Sequence, residues 1–376
     1  MNGCKKGLSL FLVIILSTAL DCIDSEKMIP DAQIGQMLII GFRGTSVDDS
    51  SPIARVINDL NIGGVVLYDY DVPSGSFPRN ITGPEQLAEL TADLKQLSSD
   101  LLIAVDAEGG RVNRLKPEYG FAEIPSHAGL GEWDDPDSTF AAAAQLASQL
   151  ADMGINTNFA PVVDVNINPE NPIIAGLQRS FSKNTAHVSA HAQAFIKAHH
   201  QYGILTAIKH FPGHGSSAGD THIGMTDVTD TYSDSELVPY QTLIEDGLVD
   251  MIMTSHIINR NFDPEPVTLS DYYIRRILRD SLGFKGVVVS DDMQMGALTE
   301  HYSFKEAIIR AVNAGCDVLI FSNNAGVYDK EASYRAVQVI HEALAAGEIR
   351  KERIRQAVER VQALKEKLNR GTFSSE

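Results

Sequence analysis

Cysteine is scarce in this chain: its 376 residues include three, Cys4, Cys22 and Cys316. Two of them lie at the extreme N-terminus, so disulfides do not frame the fold. Cys316 stands in Ala314-Gly315-Cys316-Asp317-Val318, just ahead of an apolar run, and reads as a buried small hydrophobe. Basic charge is also in short supply, with 31 Lys and Arg against 49 Asp and Glu and a formal net charge of −18. Phosphate backbones are bound by basic patches, so nucleic acid is not an expected partner. The surplus of one sign suits a protein that stays dispersed. There is no low-complexity tract, no block of like charge, and no Pro- or Gly-rich linker that would mark a second domain.

Long apolar runs are missing too. The one at Leu8–Leu16 is short for a membrane-spanning helix. Lys5 and Lys6 precede it and Ser17-Thr18-Ala19 follows, which is the layout of a cleavable export signal over residues 1–19. The expected mature protein is exported, periplasmic or secreted, with no stable membrane span. Cys22 raises lipidation, although Asp21 is a poor fit to the small residue that such processing needs. Asn80-Ile81-Thr82 matches a glycosylation acceptor, a pattern common by chance.

What the chain does have is alternation. Eight short apolar runs occur at Gln36–Gly41, Gly63–Tyr68, Leu101–Asp106, Thr157–Val162, Leu205–His210, Met251–His256, Val287–Asp291 and Val318–Ser322. Helical periodicity fills the intervals, most clearly at Thr139–Met153, Ala186–Tyr202, Ser235–Gly247, Tyr272–Ser281, Phe304–Ala314 and Ser333–Ala345. Near-continuous apolar strands indicate a parallel sheet covered on both faces. The expected fold class is α/β, a single (β/α)₈ TIM-type barrel over residues 27–370, with no second domain. A charged last helix, about Arg350–Asn369, is expected on the barrel exterior, and residues 371–376 as a frayed tail. An open doubly wound sheet is the alternative. The barrel is favoured because Asp106, Asp164, Lys209 with His210, His256, Asp291 and Asn323 all stand at C-terminal strand ends, which converge on one mouth in a barrel.

The most informative stretch is Lys209-His210-Phe211-Pro212-Gly213-His214-Gly215, running on to Asp220-Thr221-His222. Titratable groups are carried on a Gly-rich loop above a rigid strand, where catalytic groups tend to sit. A turn could bring the Asp220 carboxylate to the His222 ring, orienting it and making it a better base. Histidine gives and takes protons near neutral pH. Gly213, Gly215 and Gly219 are expected to let the loop move over a bound ligand. His210, His214 and His222 also raise a metal site, but Pro212, Gly213 and Gly215 break the helix that the first two would need. Neither metal nor cofactor is expected.

Asp291 follows Val287-Val288-Val289-Ser290 and precedes Asp292. One of these two acids is expected at the mouth, and alternation alone does not say which; a helix N-cap would account for the other. Asp106-Ala107-Glu108-Gly109-Gly110-Arg111 runs on to Arg114 and lacks the glycine spacing of a phosphate loop. Its acids and arginines suit sugar hydroxyls, Asp accepting and Arg donating. A Glu108–Arg111 ion pair is the structural alternative. Arg179, in Arg179-Ser180-Phe181, would read as a solvated loop residue on its own.

Together these motifs resemble the glycoside hydrolase family 3 enzymes, in particular the bacterial β-N-acetylglucosaminidase branch associated with peptidoglycan recycling. The match runs from about Ile34 to Leu368, and the Lys-His-Phe-Pro-Gly-His-Gly run ending in Asp-x-His is its most specific part. The resemblance implies a carbohydrate substrate containing β-linked N-acetylglucosamine. It implies Asp291 as nucleophile, His222 as acid/base with Asp220 as its partner, and Asp106, Arg114, Arg179, Lys209 and His210 as sugar-binding residues. Asp292, Glu108 and Arg111 match the pattern without being expected as direct contacts. Other family members take the acid/base from a carboxylate, often in a second domain. The implied mechanism is retaining, through a glycosyl-enzyme. Recycling enzymes of this branch are generally cytoplasmic, so the export signal is a departure from them. Phosphorolysis by the same residues, hydrolysis of β-glucosides and a non-catalytic sugar-binding barrel are the competing readings.

Overall fold

Eight parallel strands pair in a closed ring, with β1 Leu38–Gly41, β2 Gly64–Leu67, β3 Leu102–Val105, β4 Thr157–Asn158, β5 Leu205–Phe211, β6 Met251–Thr254, β7 Val287–Asp292 and β8 Val318–Phe321. Each strand pairs with its neighbours in chain order, and β8 closes on β1 through Leu38↔Leu319. This is the expected (β/α)₈ barrel, seen in a computed structural model that describes residues 29–371 and Phe373. Residues 1–28, which hold the expected signal segment at 1–19 together with Cys22, lie outside the described residues, as do residues 372 and 374–376.

Alternation explains the ring. In β5, Leu205 and Ala207 point into the barrel, while Ile208 joins the outer layer under the helices. Ile39, Val66, Leu102, Ala104, Met251, Met253, Val287, Val289, Val318 and Ile320 complete the inner layer. Helices return the chain between strands, among them Pro52–Leu60, Pro84–Leu97, Pro136–Asp152, Thr185–Gln201, Phe304–Ala314 and Ala332–Ala346. Side-chain oxygens start several of them: Asp135, Asn184 and Ser303 each accept from first-turn amides. Cys316 is fully buried and unpaired.

Four details differ from the sequence reading. β4 is two residues long, because the run meets Pro161, which has no amide to give; an isolated pairing of Val162 with Lys209 resumes the ladder. Tyr272–Ser281 is wound as a π-helix. The last helix, Lys351–Arg370, lies across the N-terminal end of the barrel rather than on its outer side. Its Val361 and Leu364 pack among the first inward residues of the strands. Lys367 pairs with Asp250 at 2.5 Å, and Arg353 and Arg360 pair with Asp317 at 2.5 and 2.9 Å. This helix floors the barrel and leaves the opposite mouth open. Finally, Asn80 is buried, donating to the carbonyls of Phe42 and Gly44, so that acceptor motif is structural. Beyond Gly371, which ends the last helix with φ 62°, Phe373 packs on the His200 ring at 5.1 Å between centroids.

Candidate active site

Of all residues in the eight strands, one is less than buried, and it is Asp291. It continues the inward parity of Val287 and Val289 and so reaches the mouth. Asp292 turns the other way. Its carboxylate accepts from the Ser322 amide at 3.0 Å, from the Ser322 hydroxyl, and from the Gln294 amide at 3.2 Å. Burial pushes its pKa up to about 6. For Asp291 burial also pushes upward, but the rings of His256, His210 and His222 outweigh it and hold the carboxyl below its usual range. His256 is fixed beneath: its Nε2–H donates to the Asp292 carbonyl at 3.0 Å and its Nδ1 pairs with Thr268 Oγ1 at 2.8 Å.

A cleft of about 360 Å³ opens above Asp291 and is lined by Asp106, Arg114, Arg179, Lys209, His210 and His222 as well. Seven of the eight residues singled out in the sequence thus meet at one cleft, and the eighth, Asp220, stands directly behind His222. Asp220 accepts from the His222 amide at 2.9 Å and from the His222 Nδ1–H at 2.8 Å. That hydrogen bond raises the His222 pKa against the pull of partial burial, and the nearby Asp291 charge adds to the rise. The bond occupies Nδ1 and leaves Nε2 as the proton-carrying atom toward the cleft. The ring is 62% exposed, so a ligand can reach it.

Below the cleft lies a layered charge network. Asp106 accepts from Lys209 Nζ at 2.7 Å. Glu108, fully buried, accepts two hydrogen bonds from Arg179, both 2.8 Å, and pairs with Lys209 at 2.7 Å. The alternative of a Glu108–Arg111 pair is therefore not formed; Arg111 instead donates to the Gly176 carbonyl at 3.2 Å. Burial opposes the charge on Glu108, but Arg179 and Lys209 hold its pKa far below the ordinary value. Arg179 also donates to His210 Nε2 at 3.1 Å, while His210 Nδ1–H donates to the buried Asp164 at 2.7 Å. His210 is thereby set as the Nδ1–H tautomer. Arg114 lies over the Tyr68 ring at 5.5 Å. Tyr68, Met295, Leu177 and Asn324 also line the cleft and were not singled out in the sequence. Tyr68 ends an apolar run, a signal that could have found it; the other three lie in loops with no motif.

Two of the loop glycines lie at close approaches of the backbone. A Cβ on Gly213 would stand 2.5 Å from Glu236 Cβ, and one on Gly215 would stand 1.7 Å from the Val165 carbonyl oxygen. Both are points of close packing, where a side chain would not fit. Glu236 accepts from the Gly215 amide at 2.7 Å and fastens the loop base. Among the described residues, no cluster of three or more His, Cys, Asp or Glu is arranged to hold a metal ion. Nor is any described helix long and apolar enough to cross a membrane.

Glu108→Gln should leave Arg179 and Lys209 short of a buried counter-charge. The expected loss is about 3–5 kcal/mol of stability, as for other broken buried pairs, together with a raised KM. Denaturant unfolding and steady-state kinetics check this; an unchanged midpoint would mean that the network is not the support of the cleft.

A barrel mouth with a strand-end carboxylate, a carboxylate-held imidazole and a floor of paired charges has the parts for acid/base work on a polyhydroxylated substrate. Comparison with known proteins gives the class. The sequence profile described as "Glycosyl hydrolase family 3 N terminal domain" matches residues 29–364. The chain is 34% identical over 303 residues to the "Beta-hexosaminidase" of Nitrosomonas eutropha, covering 78% of this chain and 82% of that protein. It is 36% identical over 256 residues to that of Idiomarina loihiensis, covering 66% and 75%. Among solved structures, a glycoside hydrolase family 3 β-N-acetylglucosaminidase from Paenibacillus superposes with a TM-score of 0.82 at 31% identity, over 93% of this chain. This chain spans 64% of that one, less than two thirds of its length. A β-N-acetylhexosaminidase from Beutenbergia cavernae superposes with a TM-score of 0.76 at 27% identity, over 90% of this chain and 99% of that one. The chain belongs to glycosyl hydrolase family 3, and it is a glycoside hydrolase.

Proposed function

We propose that the protein is a retaining exo-β-N-acetylglucosaminidase that removes terminal β-linked N-acetylglucosamine from peptidoglycan fragments or chito-oligosaccharides. The observation that carries this reading is the pairing of His222 with Asp220 at a cleft that also exposes Asp291. The names of the relatives support the sugar. Asp291 attacks the anomeric carbon, and the bond to the leaving oxygen breaks as His222 Nε2–H gives it a proton. In the second step His222 takes a proton from water, whose oxygen attacks the anomeric carbon and frees the Asp291 carboxylate. Arg114, Asp106, Lys209 and Arg179 bind the sugar hydroxyls, the charged donors giving the stronger hydrogen bonds, with His210 beside them. The retaining step count makes no use of a metal or cofactor.

Release of nitrophenol from an aryl N-acetyl-β-glucosaminide, compared with the β-glucoside, tests the reaction and the sugar. Analysis of products in phosphate buffer separates the routes: free N-acetylglucosamine marks hydrolysis, and the sugar 1-phosphate marks phosphorolysis. Absence of any turnover would favour the sugar-binding reading. We also propose that the protein acts outside the cytoplasm, after cleavage near Ala19. Intact mass of exported material checks this, and a full-length mass would count against it.

A further inference from the structure

The turn that carries His222 is internally stiff. The amides of Ile223 and Gly224 both donate to the Asp220 carbonyl, at 3.1 and 3.2 Å, while the Asp220 side chain holds the His222 amide. What sets the imidazole over the cleft must therefore be whatever the turn rests on. It rests on the segment that follows the Asp291 strand. The Ala297 amide donates to the Thr221 carbonyl at 3.2 Å. A Cβ on Gly296 would stand 2.6 Å from the Ile223 carbonyl oxygen and 3.0 Å from the His222 carbonyl oxygen. Thr221 is buried while Ile223 is 76% exposed, so the turn has one face seated and one face open.

We propose that Gly296 is a positioning residue for catalysis: a bare stretch of backbone that seats the acid/base turn against the Asp291 segment. The inference rests on the acid/base role given to His222 above. Gly296 is not in the left-handed region that would demand glycine for its own conformation. It opens the short helix Gly296–Thr299, where alanine would be the better residue by up to about 1 kcal/mol. The atoms in the way are backbone carbonyls, which cannot swing aside as a flexible side chain can. The seat itself is firm. The Met295 amide donates to the Asp292 carbonyl at 3.1 Å, and Gln294 exchanges hydrogen bonds with Asn323 at 2.7 and 3.1 Å. One rigid segment thus carries the carboxylate at one end and fixes the height of the imidazole at the other.

The test is a double-mutant cycle between Gly296→Ala and His222→Ala, read as kcat/KM on a β-linked N-acetylglucosamine disaccharide, whose sugar leaving group needs the proton, with thermal midpoints for each variant. Gly296→Ala alone should lose about 10–100-fold, since displacements of about 1 Å cost on that order, and should keep the wild-type midpoint. In the His222→Ala background the same change should cost almost nothing, because there is no imidazole left to misplace. Ala297→Pro, which removes the amide bonded to Thr221 from the second residue of the helix, where no intrahelical bond is lost, should repeat the pattern and covers the case in which Gly296→Ala folds poorly. Wild-type activity in Gly296→Ala and Ala297→Pro, beside a strong loss in His222→Ala, would overturn the inference alone. So would equal losses in both backgrounds. Full activity in His222→Ala would instead overturn the acid/base reading, and the inference with it.

Discussion

Replacing Asp291 with alanine should lower kcat/KM on an aryl N-acetyl-β-glucosaminide by on the order of 10⁴-fold or more, the size seen when a nucleophile is deleted from a cooperating group. Its neighbour should not rescue it. Asp292 spends its carboxylate oxygens on Ser322 and on the Gln294 amide, and burial pushes its pKa up to about 6. Asp291 faces the opposite conditions. The nearby imidazoles hold its pKa below the usual carboxylate range despite its burial, and among the described residues the Asp292 amide at 2.8 Å is the one hydrogen-bond donor to it. A carboxylate in that state is free to bond to carbon. Incubation with a slow fluorinated aryl glycoside should add one sugar to the intact mass of the wild type and none to Asp291→Ala. Residual activity within tenfold of wild type, or a sugar found on another residue, would move the nucleophile elsewhere.

The choice between Asp291 and Asp292 shows how far the chain could be read without coordinates. Both acids follow the same run of valines, and parity names Asp291 only once it is known that Val287 and Val289, not Val288, line the barrel. That assignment is made by contacts with other strands, which no local pattern contains. Glu108 makes the same point over a longer distance. Two residues separate it from Arg111, which suggested a local pair, whereas its actual partners are Arg179 and Lys209, brought together by closure of the barrel. Strand positions and the Asp-x-His motif were legible because they depend on neighbours in sequence. The floor position of the last helix was not: the apolar face of Ile354, Val358, Val361 and Leu364 announces a helix with one buried side, and nothing in it says which surface it will cover. Nor did the glycines of the loop reveal whether they free the backbone or let it pack closely, since both uses require the same missing side chain.

His222→Ala should give the second large effect, and its signature lies in what it depends on. Loss of a general acid should cost about 10²–10⁴-fold for sugar leaving groups, and much less in the first chemical step for a dinitrophenyl group that departs without a proton. The pH profile carries the same logic with a definite sign. Hydrolysis needs Asp291 ionised and His222 protonated on entry to the first step. Activity should fall on the acid side only below the ordinary carboxylate range, because the Asp291 pKa is lowered. On the alkaline side it should fall above the ordinary imidazole value, because the hydrogen bond to Asp220 raises the His222 pKa. Asp220→Asn removes the charge and weakens that bond, so its alkaline limb should move to lower pH while the acid limb stays in place. In His222→Ala the alkaline limb should vanish. The measurement is kcat/KM against pH for the wild type and the two variants. An alkaline limb that Asp220→Asn leaves unmoved would mean that the ionisation belongs to another group, and the proton donor would have to be sought among the remaining groups lining the cleft.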